Sequence, residues 1–315
     1  MPLLASPLHP SARLRRPTLL IVGCGDVGLR VLALLVPRWR VFALTSSPGR
    51  VAALRAAGAL PLVGNLDEPA TLWRLGALAD CVLHLAPPPP EGEHDPRTRA
   101  LLAALARGAR TRVLVYGSTT GVYGHADGAE FDETRAPAPA TARARRRVDA
   151  EAQVRWFGRA SGARVSILRI PGIYAPGRAG GDPRERLARG APVLRHEDDV
   201  YTNHIHADDL ARACVAALLR GRAQRVVHAC DDSRLKMGEY FDLAAELSGM
   251  PYPPRITREQ AAERLGAAQL SFMSESRRLA NRRLKRELRL ALRYPTVREG
   301  LAVLRRDPVR SPAGA

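Results

Sequence analysis

The feature that most constrains the fold is a regular alternation of short, fully apolar runs with longer segments of helical periodicity. The first half of the chain predicts strands over 18–22, 40–45, 60–63, 81–85, 113–116 and 164–170. Helices are predicted between them, over 27–35, 48–57, 69–77, 97–107 and 140–161. Strands joined by helices in this order form a parallel sheet with right-handed crossovers, and strands that are apolar throughout are covered on both faces. The pattern therefore predicts an α/β fold with a doubly wound parallel sheet.

After residue 170 the alternation becomes less regular. Further helices are predicted over 182–189, 208–219, 238–247 and 258–265. One more strand, over 225–229, would extend the sheet. We therefore divide the chain into a sheet domain over 18–175 and a region over 176–306 that completes the sheet and adds a smaller, mostly helical C-terminal lobe. The leader over 1–17 and the tail over 307–315 are predicted to be disordered.

A glycine-rich segment follows the first predicted strand and begins the first helix. Gly23, Gly25 and Gly28 form a G-x-G-x-x-G pattern, with Asp26 and Val27 before the third glycine. In this context the first glycine permits a tight turn, the second lets the backbone approach a pyrophosphate, and the third allows close helix–strand packing. The helix N-terminus adds free N–H groups and a partial positive charge. The segment therefore predicts a Rossmann-type dinucleotide site, with a ligand-free glycine turn as the alternative.

The end of the second strand bears on the choice between NAD and NADP. An acidic residue there would bind the ribose 2′-hydroxyl of NAD, but this chain has hydroxyls, including Ser46, then Arg50, and no acid until Asp67. Hydroxyls and a guanidinium suit a 2′-phosphate, so we predict NADP, with NAD as the alternative. Asn65 and Leu66 follow the third strand and are candidates to bracket the adenine. Asp67 fits that role and the role of a helix-capping acid equally well.

Net charge and cysteine usage bear on other classes of protein. The formal net charge is +18, and arginine supplies all but two of the 49 positive charges. The densest arginine run, over 277–289, carries leucines at helical spacing, which favours a solvated helix face over a nucleic-acid site.

The four cysteines are far apart in apolar surroundings, as is typical of reduced core thiols. No run approaches the ~20 uncharged apolar residues of a membrane span. We expect a cytoplasmic protein that binds neither nucleic acid nor a membrane.

Several ordered motifs resemble those of the extended short-chain dehydrogenase/reductase family, in its NAD-dependent epimerase/dehydratase group. They are LHLA over 83–86, YGSTTGVYG over 116–124, LRIPGIYAPGR over 168–178, NHIHADDL over 203–210 and YPTVREGL over 294–301. The resemblance covers nearly the whole chain. It implies a place beside the cofactor for Leu85, Ala86 and Pro171. It also implies a small-molecule substrate with a carbonyl or hydroxyl group, of which sugar nucleotides are the family's example.

The same resemblance implies a set of catalytic positions. In the family, a Ser or Thr orients the substrate, while a Tyr-x-x-x-Lys pair transfers a proton and grips the nicotinamide ribose. Thr119 matches the hydroxyl position, and the frame set by Glu151 places Arg143 and Arg147 where the Tyr and Lys stand. No tyrosine in this chain has a lysine four residues later. Because a guanidinium does not release its proton near pH 7, we expect an atypical member in which Arg147 donates to a ribose.

Other side chains then become candidates for catalysis. Tyr123 and Tyr174 are the candidate acids by motif position, with packed, hydrogen-bonded tyrosines as the alternative. His204 and His206 could be a metal pair, but two ligands without a third cluster favour a structural link between strand and helix. No metal site is therefore predicted.

The arginines that begin the long helix, together with Arg169 and Arg178, could line a cleft for an acidic or phosphorylated substrate. A solvated helix face is the alternative, since one face takes only every third or fourth residue. The leading hypothesis is an NAD(P)-dependent oxidoreductase acting on a small molecule. The alternative is a non-catalytic NAD(P)-binding regulator, which would keep the glycine motif without the catalytic pair. The oligomeric state stays open, with a homodimer as one candidate.

Overall fold

The computed structural model describes residues 16–264, 266, 270 and 273–305. The strands are β1 (Thr18–Val22), β2 (Arg40–Thr45), β3 (Leu60–Val63), β4 (Cys81–His84), β5 (Val113–Thr119), β6 (Glu130–Phe131), β7 (Arg164–Ile170), β8 (Gly172–Tyr174), β9 (Val193–Leu194), β10 (His204–His206), β11 (Arg225–His228), β12 (Arg255–Ile256) and β13 (Arg278–Leu279). The helices are α1 (Asp26–Leu35), α2 (Val51–Ala56), α3 (Pro96–Gly108), α4 (Ala142–Ser161), α5 (Pro183–Ala188), α6 (Ala207–Arg220), α7 (Met237–Ser248), α8 (Arg258–Arg264), α9 (Arg282–Arg286) and α10 (Val297–Leu301). The predicted tail, and the predicted leader up to residue 15, lie outside the described residues.

Seven of the described strands form one parallel sheet in the order β11–β7–β5–β4–β1–β2–β3. Helices α1 and α6 pack on one face of the sheet, and α3 and α4 pack on the other. Every residue of β1 is buried, as the uniformly apolar run predicted. The strand order reverses between β1 and β4, which opens a crevice at the carboxyl ends of these strands. The predicted doubly wound α/β sheet is confirmed.

A smaller lobe with its own hydrophobic core stands beyond the carboxyl edge of the sheet. Its core combines α5, α7, α8 and α10 with Tyr174 and Val193. Two short parallel pairs, β8 with β10 and β9 with β12, belong to the same region. Between the segments of the lobe, α6 and β11 return to the sheet and complete it. Across the described part of the chain, no helix is both long and apolar enough to cross a membrane.

Two predicted helices differ from the structure. The segment predicted over 69–77 forms two short 3-10 turns, Pro69–Leu72 and Leu75–Ala77. There the backbone of Gly76 lies against Gly108 of α3 so closely that a Cβ on Gly108 would be 2.1 Å from the Gly76 carbonyl carbon. This contact fixes a path that a regular helix with side chains on every face would not follow.

The arginine-rich run over 277–289 is not one solvated helix. Its start forms β13, which pairs with β6, and only the five residues of α9 are helical. The helix ends at Arg286, and Arg289, three residues later, has φ +51, in the left-handed region. Leu284 and Leu288 are buried against the sheet, so their spacing did indicate an inward face. The solvated face was wrong for Arg277, which is buried and donates to the Gly124 carbonyl oxygen at 2.8 Å.

A buried polar network connects β5, α4 and β7. Arg169 and Glu151 form an ion pair at 2.7 Å, with 3% and 5% of their side chains exposed. The Ser118 hydroxyl donates to Glu151 at 2.6 Å, which satisfies a further lone pair of the carboxylate. Arg169 also donates to the Tyr123 hydroxyl oxygen at 2.6 Å. Paired and hydrogen-bonded in this way, the two charges can remain buried.

The Tyr123 hydroxyl extends this network to β11. It lies 2.6 Å from His228 Nε2, while His228 Nδ1 lies 2.9 Å from the Ala280 carbonyl oxygen. A carbonyl only accepts, so Nδ1 carries the ring proton and Nε2 accepts from the tyrosine. Burial lowers the pKa of His228 to about 4, so the ring is neutral near pH 7. Tyr123 thus accepts from one side and donates to the other.

Buried histidines predict that stability decreases on acidification. Burial lowers the pKa of His84 and of His204 to about 3, and that of His228 to about 4. Unfolding lets each ring regain its ordinary pKa near 6.5, so the unfolded chain binds more protons below that pH. Asp231 acts in the opposite direction, because burial raises its pKa to about 8. Three rings against one carboxyl leave a net uptake of about two protons on unfolding, so the free energy of unfolding falls by roughly 2–3 kcal/mol per pH unit between about pH 6 and pH 4.5.

Urea unfolding at several pH values in this window measures that slope. His84→Asn removes one titrating ring and should reduce the slope by about one proton's share. A free energy of unfolding that is level across the window, or that rises on acidification, would contradict the prediction.

Candidate functional site

The glycine turn after β1 is a close contact between two backbone segments. Gly23 has φ +84, and a Cβ there would lie 2.4 Å from the Ala86 backbone nitrogen. A Cβ on Gly28 would lie 3.2 Å from Cys24 Sγ, which is close packing of α1 on the turn. A Cβ on Gly25, in contrast, would meet no atom within 4 Å. The turn therefore requires glycine at 23 for its own backbone, while Gly25 faces open space.

That open space is a cavity of about 520 Å³, here called the glycine-loop cavity. Its wall holds most of the residues predicted to bind the cofactor, namely Gly23, Gly25, Asp26, Val27, Gly28, Leu85 and Pro171. Pro87 to Pro90 form a further part of the wall. Four guanidiniums also line it, from Arg143, Arg146, Arg147 and Arg178, whereas Asp26 is the acidic side chain among its lining residues. The cavity is therefore electropositive and suits a phosphorylated ligand.

A second cavity of about 700 Å³, here called the lobe cavity, lies between the sheet and the small lobe. The two cavities share lining residues, so they meet. We call the shared set the junction; it consists of Thr119, Arg143, Pro171, Ile173 and Arg178. A ligand in one cavity and a ligand in the other would touch at the junction.

Thr119 ends β5 and faces this junction. Its Oγ1 accepts from the Gly121 backbone nitrogen at 3.2 Å, and this bond uses an oxygen lone pair. The hydroxyl hydrogen can therefore point toward an acceptor in the cavity. A hydroxyl with its hydrogen free to turn toward the cavity can donate to an oxygen of a ligand.

Arg147 extends from α4 toward the end of β5. One of its Nη atoms donates to the Gly117 carbonyl oxygen at 2.9 Å and to the Tyr116 hydroxyl oxygen at 3.0 Å. Burial raises the pKa of Tyr116 to about 12, although the neighbouring Arg147 lowers it in part. Tyr116 is fully buried and lines neither cavity, so its phenol is out of reach of a substrate, whereas Arg147 lines the glycine-loop cavity.

The two candidate tyrosine acids are placed differently. Tyr123 is fully buried in the network with Arg169 and His228 and lines neither cavity, as the packed, hydrogen-bonded alternative predicts. Tyr174 does line the lobe cavity, but it is 1% exposed and its hydroxyl donates to the Thr296 carbonyl oxygen at 3.3 Å. Burial raises the pKa of Tyr174 far above its ordinary value. A phenol held in this way is a poor proton donor.

The ends of β2 and β3 lie beside the glycine turn, outside the lining of the glycine-loop cavity. Arg50 donates to the Cys24 carbonyl oxygen at 2.7 Å, which holds its guanidinium against the turn. Ser46 is exposed next to it, in a position open to a phosphate. The predicted 2′-phosphate residues are thus neighbours of the dinucleotide motif.

The predicted adenine-binding residues are largely occupied by local structure. Asn65 Oδ1 accepts from the Asp67 backbone nitrogen at 3.1 Å, and the Leu66 side chain is buried in the core. Asp67 is not a helix cap; it pairs with Arg97 through two hydrogen bonds of 2.6 and 2.8 Å. That pairing lowers the pKa of Asp67. Ala86 is also placed beneath the turn, under Gly23, instead of on the cavity wall.

Asp26 links α1 to Arg178, in the loop after β8, on the wall of the glycine-loop cavity. It pairs with Arg30 of α1 at 3.1 Å and with Arg178 of the junction at 2.9 Å. Arg178 also donates to the Ile173 carbonyl oxygen at 3.2 Å. An acid at the start of a phosphate-binding helix would repel an anion, but here two guanidiniums neutralise it.

The two motif histidines have structural roles. His206 caps α6, since its Nδ1 accepts from the Asp208 backbone nitrogen at 3.2 Å. His204 is buried and stacks on Tyr240, with ring centroids 4.2 Å apart. Within residues 16–264 and 273–305 no group of three or more His, Cys, Asp or Glu side chains could hold a metal ion.

Sequence reasoning missed part of the lobe cavity. Glu275 and Arg277 line it from the segment before β13, and they pair at 2.6 Å. Tyr201 and Asn203, from the approach to β10, line it as well. These residues lie far along the chain from the glycine motif, and no local spacing indicated that they share a wall with Thr119.

The sequence and the fold of the chain match a known protein family and several solved structures. The model of the NAD dependent epimerase/dehydratase family matches residues 20–230. A solved conserved protein of unknown function from Silicibacter pomeroyi is 32% identical, with 93% of this chain and 99% of that chain covered and a TM-score of 0.78. No curated protein matches the sequence.

More distant solved structures share the fold. A UDP-glucose 4-epimerase from Thermotoga maritima, solved with UDP-glucose, is 19% identical over 92% of this chain and 97% of that chain, with a TM-score of 0.74. The dTDP-glucose 4,6-dehydratase DesIV from Streptomyces venezuelae, solved as a double mutant with NAD and DAU, is 20% identical over 91% and 95%, with a TM-score of 0.74. With the glycine turn and the family match over two thirds of its length, this chain belongs to the NAD-dependent epimerase/dehydratase family.

Proposed function

We propose that this protein is an NAD(P)-dependent oxidoreductase with epimerase-like chemistry, acting on a carbonyl or hydroxyl group of a small molecule. The observation that carries the proposal is the junction, where the glycine-loop cavity meets the lobe cavity beside the Thr119 hydroxyl. The fold is shared with an epimerase solved with UDP-glucose and a dehydratase solved with NAD, which supports a dinucleotide in one cavity and a substrate in the other.

The residues of the glycine-loop cavity fit a dinucleotide. The open space above Gly25 would receive the pyrophosphate, and the N-terminus of α1 would present its first N–H groups to it. The guanidinium of Arg147 would donate to the nicotinamide ribose. When bound, the nicotinamide supplies the hydride donor or acceptor. Thr119 would hold the substrate oxygen at the junction, and the small lobe would bind the rest of the substrate.

Gly23 and Gly25, the first two glycines of the motif, provide a matched test of the cofactor site. Gly25→Val should leave the free energy of unfolding near that of the wild type and abolish dinucleotide binding, because the side chain enters empty cavity space. Gly23→Ala should lower the free energy of unfolding by more than about 2 kcal/mol, because its Cβ strikes the Ala86 backbone and φ is positive. Calorimetric titration with NADPH and urea unfolding measure the two effects. Unchanged NADPH affinity in Gly25→Val would contradict the proposed site.

We further propose that the cofactor is NADP. Arg50 lies against the glycine turn, Ser46 is exposed at the end of β2, and Asp67, the first acid along the chain after β2, is paired with Arg97. A guanidinium and a hydroxyl bind a 2′-phosphate, whereas NAD specificity commonly uses a free carboxylate at this strand end.

Arg50→Ala should weaken NADPH binding by roughly 1–3 kcal/mol, about fivefold to 150-fold, and should leave NADH binding nearly unchanged. Arg55→Ala, on the exposed side of α2, serves as the control for loss of a positive charge nearby. The measurement is a pair of dissociation constants for each protein. A wild type that binds NADH more tightly than NADPH would overturn the preference.

The second candidate function is a non-catalytic NAD(P)-binding regulator. Two observations favour it. The two hydrogen bonds of Arg147 described above are both donated to protein groups. Tyr174, the candidate acid on a cavity wall, donates its hydroxyl hydrogen bond to the Thr296 carbonyl oxygen. A positioned general acid or base typically contributes 10²–10⁴-fold to a rate. Without such a group, turnover would be slow.

Installing the family pair distinguishes the two functions. We expect slow hydride transfer from NADPH to ordinary carbonyl and nucleotide-sugar substrates in the wild type, and a gain on the order of 10²-fold in Arg143→Tyr/Arg147→Lys, because a phenol and an ammonium can then move the proton. Nicotinamide absorbance reports the rate across the panel. Rapid wild-type turnover with no gain in the double variant would exclude the regulator and indicate another competent acid. Tight NADPH binding with no turnover in either protein would favour the regulator.

A further inference from the structure

We propose that Arg178 binds the pyrophosphate of the dinucleotide from the loop that leads into the small lobe, and that Asp26 positions its guanidinium for this contact. The inference rests on the proposed function, because it assigns a further residue and a coupling role to the same cofactor site. A bound cofactor then also fixes the loop over 175–182, which forms part of the lobe-cavity wall.

Arg178 keeps one donor group free on the walls of both cavities. Its Nε donates to Asp26 at 2.9 Å, and its Nη1 donates to the Ile173 carbonyl oxygen at 3.2 Å. Its Nη2 is accessible and has no hydrogen-bond partner among the described residues. An oxygen of a ligand in the glycine-loop cavity can therefore accept from this nitrogen.

The charges at the start of α1 explain why a pyrophosphate needs this guanidinium. Asp26 is the first residue of α1 and lies on the cavity wall beside Gly25, where the pyrophosphate is proposed to bind. Arg30 and Arg178 both pair with Asp26, and Arg30 also pairs with Asp208. The two carboxylates and the two guanidiniums balance. Without Arg178, one negative charge would be in excess at the helix start and would repel the pyrophosphate.

Arg178 and Arg30 neutralise the same carboxylate but differ in what else they can reach. Arg30 lines neither cavity, so it acts on Asp26 from outside the site. Arg178 adds an equal charge and also presents a donor to the cavity. A planar guanidinium can pair with a carboxylate through one nitrogen and donate to a phosphate through another. The pyrophosphate contact therefore falls to Arg178.

The loop after β8 is folded around Arg178. The Arg178 carbonyl oxygen accepts from the backbone nitrogens of Gly181 and Asp182 at 2.9 and 2.8 Å, and a Cβ on Gly181 would strike Arg178 Nη1. Gly181 and Asp182 line the lobe cavity, and Asp182 caps α5. A guanidinium held by the cofactor therefore also holds this wall of the lobe cavity and the start of α5. Cofactor binding thus prepares the cavity that receives the substrate.

Calorimetric titration of the full chain tests the pyrophosphate contact, with whichever of NADP⁺ and NAD⁺ the wild type binds more tightly. Arg178→Gln should weaken binding at least about tenfold, because a charge-assisted donor is lost and Asp26 is left partly unneutralised. Arg30→Gln is the matched control. It removes the other cation from Asp26 but no donor from either cavity, and should weaken binding by no more than about threefold. Arg178→Gln/Asp26→Asn should bind the cofactor more tightly than Arg178→Gln, because the repelling carboxylate is gone.

Hydrogen exchange of the backbone amides over 175–182, read by mass spectrometry, tests the coupling without reference to turnover. Each protein is saturated with the cofactor. Exchange of the loop should slow at least about tenfold in the wild type and in Arg30→Gln, and about twofold or less in Arg178→Gln, because only the first two proteins tie the loop to the cofactor.

Equal cofactor affinities in Arg178→Gln and Arg30→Gln would overturn the inference, as would equal slowing of loop exchange in the wild type and in Arg178→Gln. If urea unfolding shows that Arg178→Gln does not fold, Arg178→Lys and Arg30→Lys replace the pair under the same criteria, because each keeps the charge and loses the fork. Cofactor binding to the wild type with either of these results contradicts this inference alone. Failure of both NADP⁺ and NAD⁺ to bind the wild type contradicts the proposed function and the inference with it.

Discussion

The buried ion pair between Glu151 and Arg169 is the interaction on which the arrangement of the site depends. It fixes α4 to β7, and Ser118 ties the same carboxylate to β5. Removing one partner of such a pair leaves an uncompensated charge and typically costs about 3–5 kcal/mol. Arg147 and Arg143 precede Glu151 by four and eight residues, so they lie on the same face of α4. The pair that attaches the helix to the sheet therefore also directs these two guanidiniums toward the cleft.

The sheet was predictable because its strands are short, mainly apolar runs and most of its crossovers have helical periodicity. The glycine turn was predictable for the same local reason, since its conformation is set by the residues of the motif. Predictions that depend on contacts between residues far apart in the sequence were less accurate. The position of Tyr123 depends on His228 of β11 and Arg169 of β7, and the lobe-cavity wall depends on Glu275 and Arg277. No spacing within one segment reports such pairings.

Arginine usage has a structural explanation in part of the molecule. Arg164 donates to the Leu218 carbonyl oxygen at 2.7 Å and also to Gly221, Arg155 donates to the Gln224 carbonyl oxygen at 3.0 Å, and Arg283 to the Val226 carbonyl oxygen at 3.0 Å. A guanidinium offers five donors in a fixed plane, so one side chain can satisfy several carbonyl oxygens near the ends of helices and strands. The donors of an ammonium group are not fixed in one plane, so its hydrogen bonds define the geometry less strictly. The high positive charge is thus distributed between such structural bonds and the cavity walls.

The path of the chain between the sheet and the lobe restricts how this protein can change. After β8 enters the lobe region, α6 and β11 return to the sheet, α7 and α8 add to the lobe, α9 packs on the sheet again, and α10 ends in the lobe. Asp209 of α6 reinforces this weave by accepting from the backbone nitrogens of Arg293 and Tyr294 at 2.9 and 2.8 Å. The lobe is built from several separate segments of the chain, so recombination cannot exchange it as one continuous segment. New specificities in this architecture must arise by point substitutions and loop insertions within the interleaved segments.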